Sequence, residues 1–119
     1  MKSIALKEGK DTPYYIFDPE RQKFEMGGKC IPEDADAFFQ PILLWVKQYA
    51  KKPNNETNFV FKLEYFNTVS LRKILEIFKA LNKIPTAQII WFMHEDDDDF
   101  THLTEMLKIP FIIKYFEDE

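Results

Sequence analysis

Alternation of apolar and polar positions dominates the start of the chain and gives way to a longer period after residue 33. Pro13-Tyr14-Tyr15-Ile16-Phe17 and Gln22-Lys23-Phe24-Glu25-Met26 flank Asp18-Pro19-Glu20-Arg21, a strong turn sequence, and predict a β-hairpin. Gly27-Gly28 is read as a further turn, with Lys29-Cys30-Ile31 as a brief extension and residues 1–8 as an edge strand. From Glu33 to Lys51, Phe39, Ile42, Leu43, Val46, Tyr49 and Ala50 recur at helical spacing, and Phe38 and Trp45 widen the apolar face. Asp34 and Asp36 near its start and Lys47, Lys51 and Lys52 near its end suit the helix dipole; Pro41 marks the first turn or a kink.

Alternation returns over Asn58–Phe66. Phe59, Phe61, Leu63 and Tyr65 fall on one face, and Asn58, Lys62 and Glu64 mainly on the other. The period changes again across Phe66–Leu71. Leu71, Ile74, Leu75, Phe78 and Leu81 form an apolar stripe with Arg72, Lys73, Glu76 and Lys79 outside it, so a helix begins near Thr68 and ends before Pro85. Ala87–Met93 is nearly continuously apolar, as a central strand covered on both faces would be. Phe100, Leu103, Thr104 and Leu107 indicate a short third helix, and Phe111–Tyr115 a last strand. The resulting order, β-β-(β)-α-β-α-β-α-β, is an α/β sandwich with a mixed sheet and about three helices, with right-handed crossovers between parallel neighbours.

Composition narrows the class. At 119 residues the chain suits one domain over 1–119, and 45% hydrophobic residues, including 12 Phe, supply its core. A net charge of −4 argues against nucleic acid as a partner. No apolar run reaches the ~18 residues of a membrane span, and no secretory segment opens the chain. The single Cys30 excludes an internal disulfide and suits a reducing compartment, so a cytoplasmic location without membrane association is expected.

Candidate chemistry is sparse. Glu95-Asp96-Asp97-Asp98-Asp99 could hold a hard cation, but it lacks the glycine and distal glutamate of a calcium loop, and the simpler reading is a solvated loop whose last acids precede the third helix. His94 beside these acids suggests a base–carboxylate pair or a metal-dependent enzyme, yet no nucleophile motif accompanies it, and a surface histidine at a strand end explains it as well. His102 has no second cysteine with which to complete a soft-metal cluster. No catalytic residue, metal site or cofactor is assigned. Thr68, at the strand-to-helix junction, is exposed by geometry. It either caps the helix, a role Asn67 could also fill, or accepts a modification.

Several segments together resemble the SiaC family of bacterial signalling proteins: Phe17-Asp18-Pro19-Glu20, Ile31-Pro32-Glu33-Asp34, Phe38-Phe39-Gln40-Pro41-Ile42-Leu43-Leu44-Trp45, Leu63-Glu64-Tyr65-Phe66-Asn67-Thr68 and Glu95-Asp96-Asp97-Asp98. The resemblance implies a non-enzymatic switch with a STAS-like architecture, similar to anti-sigma-factor antagonists. It implies phosphorylation of Thr68 by a SiaB-like kinase, its reversal by a PPM-type phosphatase, and binding and activation of a diguanylate cyclase or other output protein by the unmodified form, linked to cyclic di-GMP and biofilm control. An anti-anti-sigma factor working by partner switching is the alternative within signalling. Val69 stands where the family commonly has serine, leaving Ser70 as the adjacent alternative acceptor. The implied partner surface comprises Glu64, Tyr65, Asn67, Thr68, Val69, Ser70 and Arg72.

Overall fold

The hairpin turn is built by Asp18. In a computed structural model that describes residues 1–94 and 110–116, its Oδ1 accepts hydrogen bonds from the amides of Glu20 at 3.1 Å and Arg21 at 3.3 Å. Gln22 completes the reversal at φ 54°. The turn joins β2 (Tyr14–Asp18) to β3 (Lys23–Cys30), and β1 (Ile4–Leu6) pairs with the outer edge of β2. The chain continues through α1 (Ala35–Tyr49), β4 (Thr57–Phe66), α2 (Thr68–Asn82), β5 (Ala87–Met93) and β6 (Ile112–Tyr115).

All six strands form one mixed sheet in chain order: β1, β2 and β3 are antiparallel, and β3 through β6 are parallel. Crossovers of one hand between successive parallel strands place their helices on the same sheet face. The buried positions agree. Tyr15, Phe17, Phe24, Met26, Phe59, Phe61, Ile89 and Trp91 point to the helix side and pack with Phe39, Ile42, Trp45, Val46 and Tyr49 of α1 and Ile74, Ile77, Phe78 and Leu81 of α2. The expected mixed α/β sheet is present. Two helices lie within the described residues, and the third predicted helix, over Phe100–Leu107, lies outside them.

Aromatic rings make the centre of this core. Phe59 sits 5.1 Å from both Phe17 and Phe24, and Trp45 stacks on Tyr49 at 5.1 Å. A second group joins Phe61, Phe78 and Trp91 at 5.2–5.8 Å. Their polar tips are satisfied: Trp45 Nε1 donates to Lys2 O at 2.9 Å, and the Tyr49 hydroxyl meets Thr57 Oγ1 at 2.6 Å. Asp34 caps α1 by accepting from Ala37 N at 3.1 Å, and Pro41 lies inside the helix on its exposed side.

Three expectations change. Gly27-Gly28 does not turn the chain; both residues lie within β3, where Gly27 pairs with Tyr14 of β2 and Lys62 of β4, and Gly28 pairs with Leu63 of β4. Glycine is needed at 27 because a Cβ there would stand 2.6 Å from the Tyr14 hydroxyl oxygen, and at 28 because its φ is +94°. β5 is not buried on both faces. Ile89, Trp91 and Met93 are buried while Ile90 and Phe92 are half-buried and Gln88 is exposed, so its apolar run hides an ordinary alternation. On α2, Ile74 and Phe78 are buried as expected, but Leu71 and Leu75 are half-buried and Ile77 joins the core.

Phe59→Ala should cost about 3–5 kcal/mol by emptying the junction of two aromatic pairs. Gly27→Ala should cost about 1–3 kcal/mol by forcing the Tyr14 ring off the sheet. Urea unfolding of both variants, with the change in midpoint compared against the wild type, checks these values.

Candidate functional site

A single extra residue in β4 shapes the site. Gly28 of β3 pairs with Leu63, and the next residue, Lys29, pairs with Tyr65, so Glu64 has no counterpart on β3. Such a bulge reverses the alternation beyond it. Leu63 is buried, Tyr65 is 59% exposed, and Phe66 turns inward with its ring edge-on to Trp91 at 5.8 Å. Alternation alone puts Tyr65 on the same face as Leu63. Local alternation cannot reveal a bulge that arises from pairing with a strand more than thirty residues away.

Asn67 then ends the strand and caps α2. At φ −95° and ψ 175° its Oδ1 accepts from Ser70 N at 2.9 Å, while its backbone oxygen accepts from Leu71 N at 2.9 Å. The capping role therefore belongs to Asn67, and the Thr68 hydroxyl is free of it. Thr68 is the first residue of α2 and exposed. The first turn carries no acid to complement the helix dipole, in contrast to α1 with Asp36.

Of the residues predicted for this surface, Glu64, Tyr65, Asn67, Thr68, Val69 and Arg72 are all exposed and lie close together in the chain, with Val69 54% exposed. Ser70 is the exception, and the expectation that it is an alternative acceptor and a contact residue is corrected. Its side chain is 0% exposed, on the inward face of α2. There its hydroxyl lies beside the Cys30 thiol at the end of β3 and has no hydrogen-bond partner of ordinary geometry. Burial pushes the Cys30 thiol up to about 11, an effect the Ser70 hydroxyl partly opposes.

Sequence reading missed how the two helices are joined. Lys73 Nζ lies 2.6 Å from Asp36 Oδ1 on α1 and 3.7 Å from Glu76 Oε2 on its own helix, and the Asp36 contact holds its ammonium above its usual range. Only the Glu76 half of that pair has a sequence signature, the i, i+3 spacing. His94 is exposed just after β5, with its ring 4.8 Å from that of Phe116. The acidic run Glu95–Asp99 and His102 lie outside the described residues. Among the described residues no group of three His, Cys, Asp or Glu side chains is arranged to hold a metal ion, and no helix is long and apolar enough to cross a membrane.

A model of a family described as SiaC family regulatory phosphoproteins matches residues 6–117. The chain belongs to the SiaC family. No curated protein matches it in sequence. Solved structures of SiaC from Pseudomonas aeruginosa share its fold. The apo form has a TM-score of 0.79 at 19% identity, over 98% of this chain and 100% of that one. A second SiaC structure from the same organism has a TM-score of 0.82 at 19% identity, with the same coverage. A third, SiaC as activator in complex with the diguanylate cyclase SiaD, has a TM-score of 0.81 at 19% identity, over 95% of this chain and 99% of that one.

Asn67→Ala should lower stability by about 0.5–2 kcal/mol through loss of the cap. Ser70→Ala should be neutral or stabilising, because it removes a buried hydroxyl without a partner. Denaturant unfolding of the pair checks the contrast. A thiol raised from 9.0 to about 11 in the folded state stabilises below pH 9, and this contribution is lost as pH rises toward 11. The stability difference between wild type and Cys30→Ala should shrink over that interval in unfolding curves taken at stepped pH.

Proposed function

We propose that this protein is a non-enzymatic, phosphorylation-gated binding module, one domain over residues 1–119, that acts in the cytoplasm. Thr68 is the acceptor. A SiaB-like kinase would transfer a phosphoryl group from a nucleoside triphosphate to Thr68 Oγ1, releasing the diphosphate and the hydroxyl proton, and a PPM-type phosphatase would return the hydroxyl by hydrolysis. The unmodified form would bind and activate a diguanylate cyclase. The observation that carries this reading is the contrast of hydroxyls on one turn: Thr68 open to solvent and Ser70 0% exposed. The complex of the fold relative SiaC with the cyclase SiaD supports the choice of output partner.

Physical chemistry explains why such a mark can act without unfolding the domain. A phosphate adds about −1.5 to −2 charges. At the N-terminus of α2 that charge has a favourable sign, worth about 0.3–1 kcal/mol against the helix dipole. Tyr65 and Val69, both more than half exposed, give the same surface apolar anchors suited to a protein interface. A doubly charged group brought into that interface must shed water beside them. A penalty of a few kcal/mol there weakens binding by roughly 10- to 100-fold or more, at ~1.4 kcal/mol per decade.

Thr68→Ala should retain cyclase binding and escape control by the kinase. Thr68→Glu should weaken binding partially, since a carboxylate carries less charge than a phosphate, while the melting temperature stays within a few degrees of wild type. Titration calorimetry against the cyclase, beside thermal melts of each variant, is the test. Equal affinity of unmodified and Thr68-phosphorylated protein would refute the switch, and collapse of the melt would assign Thr68 to folding instead.

A further inference from the structure

Thr68 and Arg72 stand four residues apart on α2, both exposed, where side chains share a face with Cβ atoms about 5–6 Å apart. Helical side chains lean toward the N-terminus, so a side chain as long as that of Arg72 can reach back over the turn that holds Thr68. Arg72 has no ion pair among the described residues. The adjacent cation is already engaged: Lys73 is held by Asp36 and Glu76. Glu64, exposed at the bulge of β4, is the remaining charged side chain of the predicted surface.

We propose that Arg72 is the intramolecular counter-ion of a phosphate on Thr68, a latch that closes on modification. The inference rests on the reading of Thr68 as the acceptor and goes beyond it in naming what the phosphate does to this chain. The planar guanidinium fork matches two phosphate oxygens, a geometry that an ammonium group cannot reproduce. Closing the latch has two effects at once. It places charge on the surface offered to the partner, and it withdraws from that surface its exposed arginine. Release of the partner then follows from a local rearrangement of one side chain, with the backbone of α2 unchanged.

The test uses full-length protein carrying phosphothreonine at position 68, installed during translation so that no kinase is needed, in wild-type, Arg72→Gln and Arg72→Lys forms. The measurement is the ³¹P chemical shift against pH. A free phosphomonoester loses its second proton near pH ~6. The wild-type midpoint should lie lower than that of Arg72→Gln by about half a unit or more, with Arg72→Lys between them. The helix amides act equally in all three proteins, so the difference isolates the guanidinium. Arg72 is exposed, and thermal melts verify that each variant is folded; Arg72→Lys keeps the comparison in hand should Arg72→Gln fail to fold. Coinciding curves overturn the latch even when phosphorylation still releases the cyclase, a result that leaves the switch standing. A lowered wild-type midpoint in a protein that cells never phosphorylate upholds the pairing and removes the functional reading.

Discussion

The parallel pairing of β3 with β4 is the constraint on which the rest of the structure depends. It joins the antiparallel half of the sheet to the parallel half, and it sets the faces of the strands that carry Phe24, Met26, Phe59 and Phe61 into the core. Its register is pinned at one end by the Phe24–Phe59 ring contact and broken at the other by the unpaired Glu64. A flat continuation would have buried Tyr65 and turned Phe66 outward. The bulge does the opposite, so one irregularity both closes the core over Trp91 and delivers an exposed aromatic ring to the turn before Thr68.

Around that turn the energetic roles divide cleanly. Asn67 satisfies the amide of Ser70, and Ser70 faces the Cys30 thiol inside the protein. The helix therefore starts on a polar cap and a small, weakly polar seat, and Thr68 contributes to neither. A residue that carries no structural duty can be altered without drawing on the stability of the domain. The Lys73–Asp36 contact ties α2 to α1 one turn further along.

The opposite face of the sheet shows how the protein handles a surface with no helix of the described residues upon it. Tyr14 donates to Glu25 Oε2 at 2.6 Å, Lys62 Nζ stands 3.6 Å from Glu25 Oε1, and the same ammonium lies 5.1 Å from the centre of the Phe92 ring. Burial and the adjacent Glu25 carboxylate push the Tyr14 hydroxyl well above its usual range. This ladder crosses β2, β3, β4 and β5 and covers half-buried apolar positions with paired charges, which leaves the sheet face an unpromising template for non-specific association.

Much of the fold was determined by sequence alone because its determinants are local. The Asp18-Pro19 turn, the helical period of α1 with its Asp34 cap, and the change of period across Phe66–Leu71 each act over a few residues, and each is visible without knowledge of what packs against it. The position of Thr68 at a strand-to-helix junction follows from the same local change. Tertiary structure decided the rest. Gly27-Gly28 reads as a turn until two neighbouring strands claim its backbone, and alternation puts Tyr65 on the face of Leu63 until β3 pairs out of step with β4. Ser70 reads as a second acceptor until α2 docks and carries it against Cys30. Pairing register and helix docking are set by contacts between residues far apart in the chain, and no local period encodes them.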